Sequence, residues 1–229
     1  KISREEQDEF AILSYRRALE AQKEKRFTAE IAPVEISVKG ETTIVDQDEE
    51  PGKVKFEKIS SLKPAFKKDG TITAANASKL NDGAAALVLM DGEEARRRGL
   101  KPLARIHKCG GFAQSPEWFT TAPAPAIRQA VERTIKEDGK ALTLEEIDLF
   151  EINEAFAVVA LANIKLLGIP IEKVNVNGGA VALGHPIGAS GARILTTLIY
   201  ALHQRNLRWG VAAICLGGGE GIAMTVERL

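Results

Sequence analysis

Aromatic residues are scarce in this chain of 229 residues, at 5%, and cysteine is scarcer still, with two. Cys109 and Cys215 cannot build a disulfide framework, so a reducing compartment is the default. Excess charge of one sign is also lacking: Lys+Arg is 31 and Asp+Glu is 31. A general nucleic-acid binder carries a basic excess, so the balance argues against that class, while a local basic patch for one anionic ligand stays open. No apolar run approaches about 18 residues, so no membrane-spanning helix is expected. Runs such as Ala84 to Met90 are strand-sized. No secretory leader pattern opens the chain. Its start at Lys1, running straight into helical pattern, reads as a cut inside a longer protein. With 20 Gly and 9 Pro the chain is not low-complexity, and its length suits one large domain or two small ones.

What is present is an alternation of helix and strand patterns. Ser3 and Glu6 fit a capping box, and Ala11, Tyr15, Ala18 and Leu19 form a helical stripe running to about Arg26. Ile31 to Val38 and Thr42 to Val45 read as a hairpin around Lys39-Gly40-Glu41. Between positions 53 and 69 lie six lysines (Lys53, Lys55, Lys58, Lys63, Lys67, Lys68) with Phe56 and Phe66 among them. That stretch is either a solvated face or an anion site with apolar walls. Ala84 to Met90 reads as a buried strand, Glu93 to Arg98 as a short helix, and Leu103 to Ile106 as the start of a strand before an irregular stretch from Gly110 to Ala122. Pro123 to Glu137 reads as a helix with its proline early, where a missing N–H is harmless. Thr143 to Glu146 fits a second capping box. Strands follow at Ile147 to Ile152 and Val174 to Val176, around a helix from Asn153 to Leu167. A Gly-rich loop spans Gly178 to Gly191, then a helix Ser190 to His203, then strands Val211 to Cys215 and Ile222 to Val226. Strands alternating with helices of this length give an α/β class.

Three segments bring reactive groups to strand ends, where ligands bind in α/β sheets: Glu151 to Phe156, Asn177 to Gly188, and Ile214 to Gly219. His185, fixed between Gly184 and Pro186, is either a packed histidine or one aimed at a ligand. Cys215 alone reads as a small core residue, but the glycines after it offer N–H donors to a developing oxyanion. Asn153 is either a helix N-cap or an amide that orients a water or a carbonyl. Two cysteines so far apart lack zinc-ligand spacing.

Taken together these segments resemble the thiolase family across essentially the whole chain. Asn153-Glu154-Ala155-Phe156, Gly184-His185-Pro186 and Cys215-Leu216-Gly217 look like its late signatures, in order, with 32 residues from Asn153 to His185 and 30 from His185 to Cys215. The resemblance implies a layered αβαβα fold. It implies a loop-domain tail that binds CoA at 1–78, the last strand region of an N-terminal domain at 79–102, and a C-terminal domain at 103–229. It implies Claisen condensation of two acetyl-CoA to acetoacetyl-CoA, or the reverse thiolysis. His185 would activate the nucleophilic thiol and help stabilise an enolate. Cys215 would move a proton at the substrate α-carbon. Asn153 would hold a water in one oxyanion hole, and the Gly217 N–H would serve the other. The family's acyl-accepting cysteine lies in its N-terminal half, and Cys109 matches no such context, so the nucleophile is expected upstream.

Ala74 to Gly83 and Cys215 to Gly219 are similar to the acetoacetyl-CoA members of the family. That likeness implies CoA contacts from Tyr15, Lys53, Val54, Lys55, Lys58 and Ser78, with Leu62 and Phe66 along the ligand path and Ala155 and Phe156 bounding the acyl pocket. It further implies a potassium ion held by Tyr15 and the carbonyls of Ala74, Ala75, Ala77 and Val181, although Tyr15 also reads as a core-facing helix residue. Partners implied are the acyl-CoA substrates, the N-terminal half of the enzyme, and further copies in a dimer or tetramer, with no nucleic acid and no membrane. The compartment implied is a bacterial cytoplasm or a mitochondrial matrix. A longer-chain 3-oxoacyl-CoA thiolase and a non-catalytic CoA-binding module remain the alternative readings.

Overall fold

The computed structural model describes residues 1–229. The first helix, α1, spans Arg4–Lys23, and its capping box forms as expected: Ser3 Oγ accepts from the Glu6 N–H while the Glu6 carboxylate accepts from the Ser3 N–H. Such a cap contributes about 1 kcal/mol. A hairpin follows, β1 (Val34–Val38) and β2 (Glu41–Val45), paired antiparallel and exposed along both strands. A short helix α2 (Gly92–Arg97), capped by Asp91, precedes a long strand β3 (Ala104–Ala113). Then come α3 (Pro123–Arg133), β4 (Leu149–Ile152), α4 (Ala157–Leu167), the single turn α5 (Ala180–Leu183), α6 (Ser190–Gln204), β5 (Trp209–Leu216) and β6 (Glu220–Arg228).

Four strands form one sheet in the order β3-β6-β5-β4, with β4 and β5 parallel and the other pairs antiparallel. Strand alternation sends its residues to two cores. On one face Phe150, Ile152, Val211, Ala213 and Ala223 pack with Ala126, Ile127, Ala130 and Val131 of α3. On the other Leu149, Ala212 and Val226 pack with Ile194, Leu195, Leu198 and Leu202 of α6. Each fully buried Ile or Leu in these layers contributes roughly 1.5–3 kcal/mol. A third core joins α1 to α4 and α5 through Ala11, Tyr15, Ala18, Ala157, Ala160 and Val181.

Several sequence expectations need correction. Ala84 to Met90 is not a strand in this chain: it carries no sheet pairing, and Val88 is 89% and Leu89 67% exposed. Its β-propensity is real, but no neighbouring strand is present to pair with it. Val174 to Val176 is likewise not a strand; it makes one isolated bridge, Val174 to Phe150. The helix expected from Asn153 starts only at Ala157, because Phe156 is extended and Asn153 continues the sheet. The helix from Pro123 stops at Arg133, where the Thr134 hydroxyl turns back to the Ala130 carbonyl and to Thr225. The stretch from Gly110 is regular to Ala113, paired with β6. The Gly-rich loop contains α5. Glu146 does accept from the Thr143 N–H, but the chain turns into β4 without a helix.

Candidate active site

β4 and β5 run parallel, and their carboxyl ends lie side by side. The Asn153 N–H extends the ladder by donating to the Ala213 carbonyl at 2.9 Å, two residues before Cys215. Asn153 is 1% exposed. Its Nδ2 lies 3.4 Å from His185 Nε2, and its Oδ1 is buried without a partner from the chain.

His185 is held from three sides. Gly184 precedes it with φ +100°, and a Cβ there would sit 2.1 Å from the Asn81 amide, so only glycine allows the approach. The His185 N–H donates to Lys79 O and to Asn81 Oδ1, each at 3.0 Å. The ring Nδ1 is 2.6 Å from Ser190 Oγ, whose own proton goes to the Pro186 carbonyl at 3.0 Å. Ser190 therefore accepts from Nδ1–H, and the Nε2 lone pair faces Asn153. Burial first, and the Arg193 charge second, push the imidazole below its ordinary range, so the ring is a neutral base at neutral pH. Ser190 and Asn81 were missed in the sequence; the only signal was a serine at the N-terminus of the helix that follows the histidine.

Cys215 pairs with Gly221 near the end of β5. Burial pushes its thiol up to about 11, so it is protonated at neutral pH. Gly217 lies exposed in the turn that follows. The structure thus brings Asn153 and His185 into contact and places Cys215 at the adjoining strand end.

Glu154, quoted in the sequence only as part of a motif, is a buried knot. Its carboxylate accepts from Ser14 Oγ at 2.7 Å, from the Val181 N–H at 3.1 Å and from Asn175 Nδ2 at 2.8 Å. Those bonds tie α1, α5 and the strand-end loop together. Glu151, on the other face of β4, lies 3.9 Å from Arg193 of α6. Burial pushes the Glu151 carboxyl up to about 8, against the opposing pull of Arg193, and pushes Glu30 up to about 7. Acids raised above their ordinary value of 4.5 lend stability in the neutral form. That stability is complete below the ordinary value and is lost as pH rises through the folded value. The thermal midpoint is therefore expected to fall between about pH 5 and pH 9, and Glu151→Gln should flatten the fall. An unchanged slope in that variant would contradict the assignment.

Two models of one family cover nearly the whole chain: "Thiolase, N-terminal domain" matches residues 1–93 and "Thiolase, C-terminal domain" matches residues 100–228. The chain belongs to the thiolase family. It is 55% identical over 230 residues to a probable acetyl-CoA acetyltransferase of Dictyostelium discoideum, covering 100% of this chain and 54% of that protein. It is 50% identical over 229 residues to the acetyl-CoA acetyltransferase of Escherichia coli, covering 100% of this chain and 57% of the relative. Among solved structures it matches the acetyl-CoA acetyltransferase of Bacillus anthracis with TM-score 0.93 at 48% identity, covering 100% of this chain and 57% of that one. It also matches the Acat5 thiolase of Ascaris suum in complex with coenzyme A, with TM-score 0.85 at 45% identity, over 99% and 56% of the two chains. The chain thus has the thiolase fold, and it spans about half the length of the curated relatives it matches. No helix is long and apolar enough to cross a membrane.

Within this thiolase chain the residues expected to contact CoA, the buried Tyr15 apart, range from half-buried to exposed. Phe156 lies edge-on to Phe66 at 6.1 Å and to Phe119 at 6.5 Å, and Phe119 was not anticipated. Ser78 donates its N–H to the Ala155 carbonyl at 3.0 Å, and Ala77 bridges to Phe156. Val54 and Leu62 are half-buried, while Lys55 and Lys58 are exposed. Lys53 is also exposed but is already paired with Glu49 at 2.9 Å and Glu50 at 2.8 Å.

The potassium reading fares differently. Tyr15 and Val181 do share one core, and Ala75 is buried. The Ala74 carbonyl, however, accepts from the Lys79 ammonium at 2.5 Å, and that nitrogen lies 5.8 Å over the Tyr15 ring. A second unit charge about 4 Å away costs about 4 kcal/mol at an effective dielectric near 20. As arranged, these residues do not fit a potassium ion.

Proposed function

We propose that the chain supplies the acid–base half of a thiolase site that interconverts two acetyl-CoA with acetoacetyl-CoA and CoA. The observation that carries this reading is the Asn153–His185 contact. Ser190 fixes the imidazole so that its Nε2 lone pair faces a buried amide at the strand end beside Cys215. The names of the acetyl-CoA acetyltransferase relatives support the substrate class.

In thiolysis, His185 Nε2 takes the proton of a nucleophilic cysteine outside these 229 residues. That thiolate attacks C3 of the 3-oxoacyl-CoA. The C2–C3 bond breaks, and the electron pair leaves as the enolate of acetyl-CoA. A water held by Asn153 Oδ1, together with the imidazole, stabilises the enolate oxygen. Cys215 then gives its proton to C2. As a thiolate it takes the proton of incoming CoA. The CoA thiolate attacks the acyl carbonyl, the bond to the nucleophilic cysteine breaks, and the acyl group leaves as a second thioester. His185 returns its proton to the freed cysteine thiolate. Condensation runs the same steps backwards. A thiol held near pKa 11 suits both roles, because its conjugate base is strong enough to work at a thioester α-carbon. The Gly217 N–H lies in the exposed turn after β5, where it would serve the second oxyanion. Lys55 and Lys58 would meet the CoA phosphates as point charges, and Phe66, Phe119 and Phe156 would wall the acyl path. Further copies of the enzyme in a dimer or tetramer, and a reducing compartment such as a bacterial cytoplasm or mitochondrial matrix, complete the reading.

The test is proton exchange. With the nucleophile-bearing half supplied, acetyl-CoA in D2O should gain deuterium at its methyl group, and Cys215→Ala should stop it. Exchange that persists in Cys215→Ala would refute the role of that thiol. The lysines can be tested separately. Neutralising Lys55 and Lys58 should weaken CoA binding, and the wild-type affinity should fall with salt, since exposed charges are screened over about 8 Å at physiological ionic strength. Lys53→Met alone should change it less, because that ammonium is shared between two carboxylates. Unchanged affinity in the Lys53, Lys55, Lys58 triple variant would assign the stretch to plain solvation.

A further inference from the structure

The segment from Thr73 to Asn81 touches both loops that carry the proposed chemistry. It is closed on itself by the Ala77 N–H to Thr73 O at 3.1 Å and the Thr73 N–H to Asn76 Oδ1 at 2.8 Å. It is tied to the Asn153 loop by the Ser78 N–H to Ala155 O at 3.0 Å and the Ala157 N–H to Asn76 O at 2.8 Å. It is tied to the His185 loop by the two acceptors of the His185 N–H, Lys79 O and Asn81 Oδ1. Two side chains pin the segment to α1: Asn76 Nδ2 donates to Asp8 Oδ1 at 2.8 Å, and Lys79 reaches Tyr15. Lys79 folds back so that its ammonium caps the Ala74 carbonyl and lies over the face of Tyr15. Tyr15 is 3% exposed and is wedged edge-on against Phe56 at 6.4 Å, so the ring cannot swing away from the cation.

We propose that the Lys79 ammonium is a tethered resident cation at this corner, a positioning residue that fixes the backbone acceptor of His185 and makes the chain independent of added monovalent ions. The physical reason is occupancy. A carbonyl oxygen and an aromatic face recognise an ammonium as they would a small monovalent cation, and a covalently attached one is always present. The segment is therefore held at any ion concentration. Partial burial pulls the Lys79 ammonium below its ordinary value, and the nearby Glu50 carboxylate opposes that pull. This inference goes beyond the acyl-transfer reading: its CoA readout rests on that reading, while the stability and the ring titration do not.

The experiment compares wild type, Lys79→Ser and Lys79→Gln in KCl, NaCl and choline chloride at equal ionic strength. Thermal midpoint, CoA affinity and the NMR titration of the His185 ring are measured. Wild type is expected to behave alike in all three salts. Lys79→Ser is expected to lose several degrees of thermal midpoint and several-fold in CoA affinity in choline chloride, to shift the His185 titration, and to recover selectively in KCl or NaCl. Recovery by one ion separates this role from simple loss of packing, which no ion would restore. If Lys79→Ser does not fold, Lys79→Gln, which keeps a donor but no charge, is read in the same way. A selective response of the wild type to KCl would overturn the proposal. So would a variant that loses nothing in choline chloride, or one that loses stability and recovers in no salt.

Discussion

Cys215→Ala is expected to cut turnover of acetoacetyl-CoA by about 10²–10⁴-fold in the assembled enzyme, the range for a lost general acid or base. CoA affinity should stay near the wild-type value, because Cys215 is placed at the strand end and not along the basic surface. The size of the effect follows from burial. The thiol is 8% exposed and raised to about 11, so bulk water cannot easily take its place as donor or acceptor. Steady-state kinetics with acetoacetyl-CoA and CoA would read kcat and KM separately. A fall in CoA affinity with kcat unchanged would remove Cys215 from the chemistry. A Cys215→Ser variant should also fall steeply, since a hydroxyl is a far weaker acid than a thiol.

The chain by itself is expected to show no thiolysis above the buffer rate, which is the larger of the two effects in absolute terms. Its one other thiol, Cys109, is exposed on the edge strand β3. A mid-strand position offers no helix N-terminus to form a thiolate. The neighbouring His107 is committed to Glu227 at 3.0 Å and cannot serve as its base. Supplying the nucleophile-bearing half should restore activity, and Cys109→Ser should leave the restored rate unchanged. Leu80, Val88 and Leu89, exposed along a stretch without sheet pairing, should make the chain alone associate with itself. Turnover by the 229 residues alone that survives Cys109→Ser would require a nucleophile not identified among them.

Much of this molecule was legible from local pattern. The capping box at Ser3 and Glu6, the buried stripe of α1, and the helix from Ser190 follow from interactions within one or two turns, which the sequence states directly. The reactive residues were legible for a similar reason, because Asn153 and Cys215 stand at strand ends and His185 in a Gly-rich loop, each marked by glycine or by an abrupt change of pattern. The contacts that give them their chemistry were not. The imidazole tautomer depends on Ser190 and Pro186, and its backbone on Lys79 and Asn81, which lie about a hundred residues earlier. No periodicity encodes a partner at that separation.

Residue type, spacing and short-range capping were determined by the sequence itself, and with them the α/β class, the family resemblance and the identity of the reactive groups. Tertiary structure alone decided which apolar run becomes a strand. Ala84 to Met90 has the composition of one, yet a strand exists only where another strand accepts its hydrogen bonds. It also decided the fate of charges. Glu154 became a buried knot, Lys53 a surface ion pair, and Lys79 a cation over Tyr15. The cost of burying a charge depends on every group that folding brings around it, and that set is fixed only when distant segments meet.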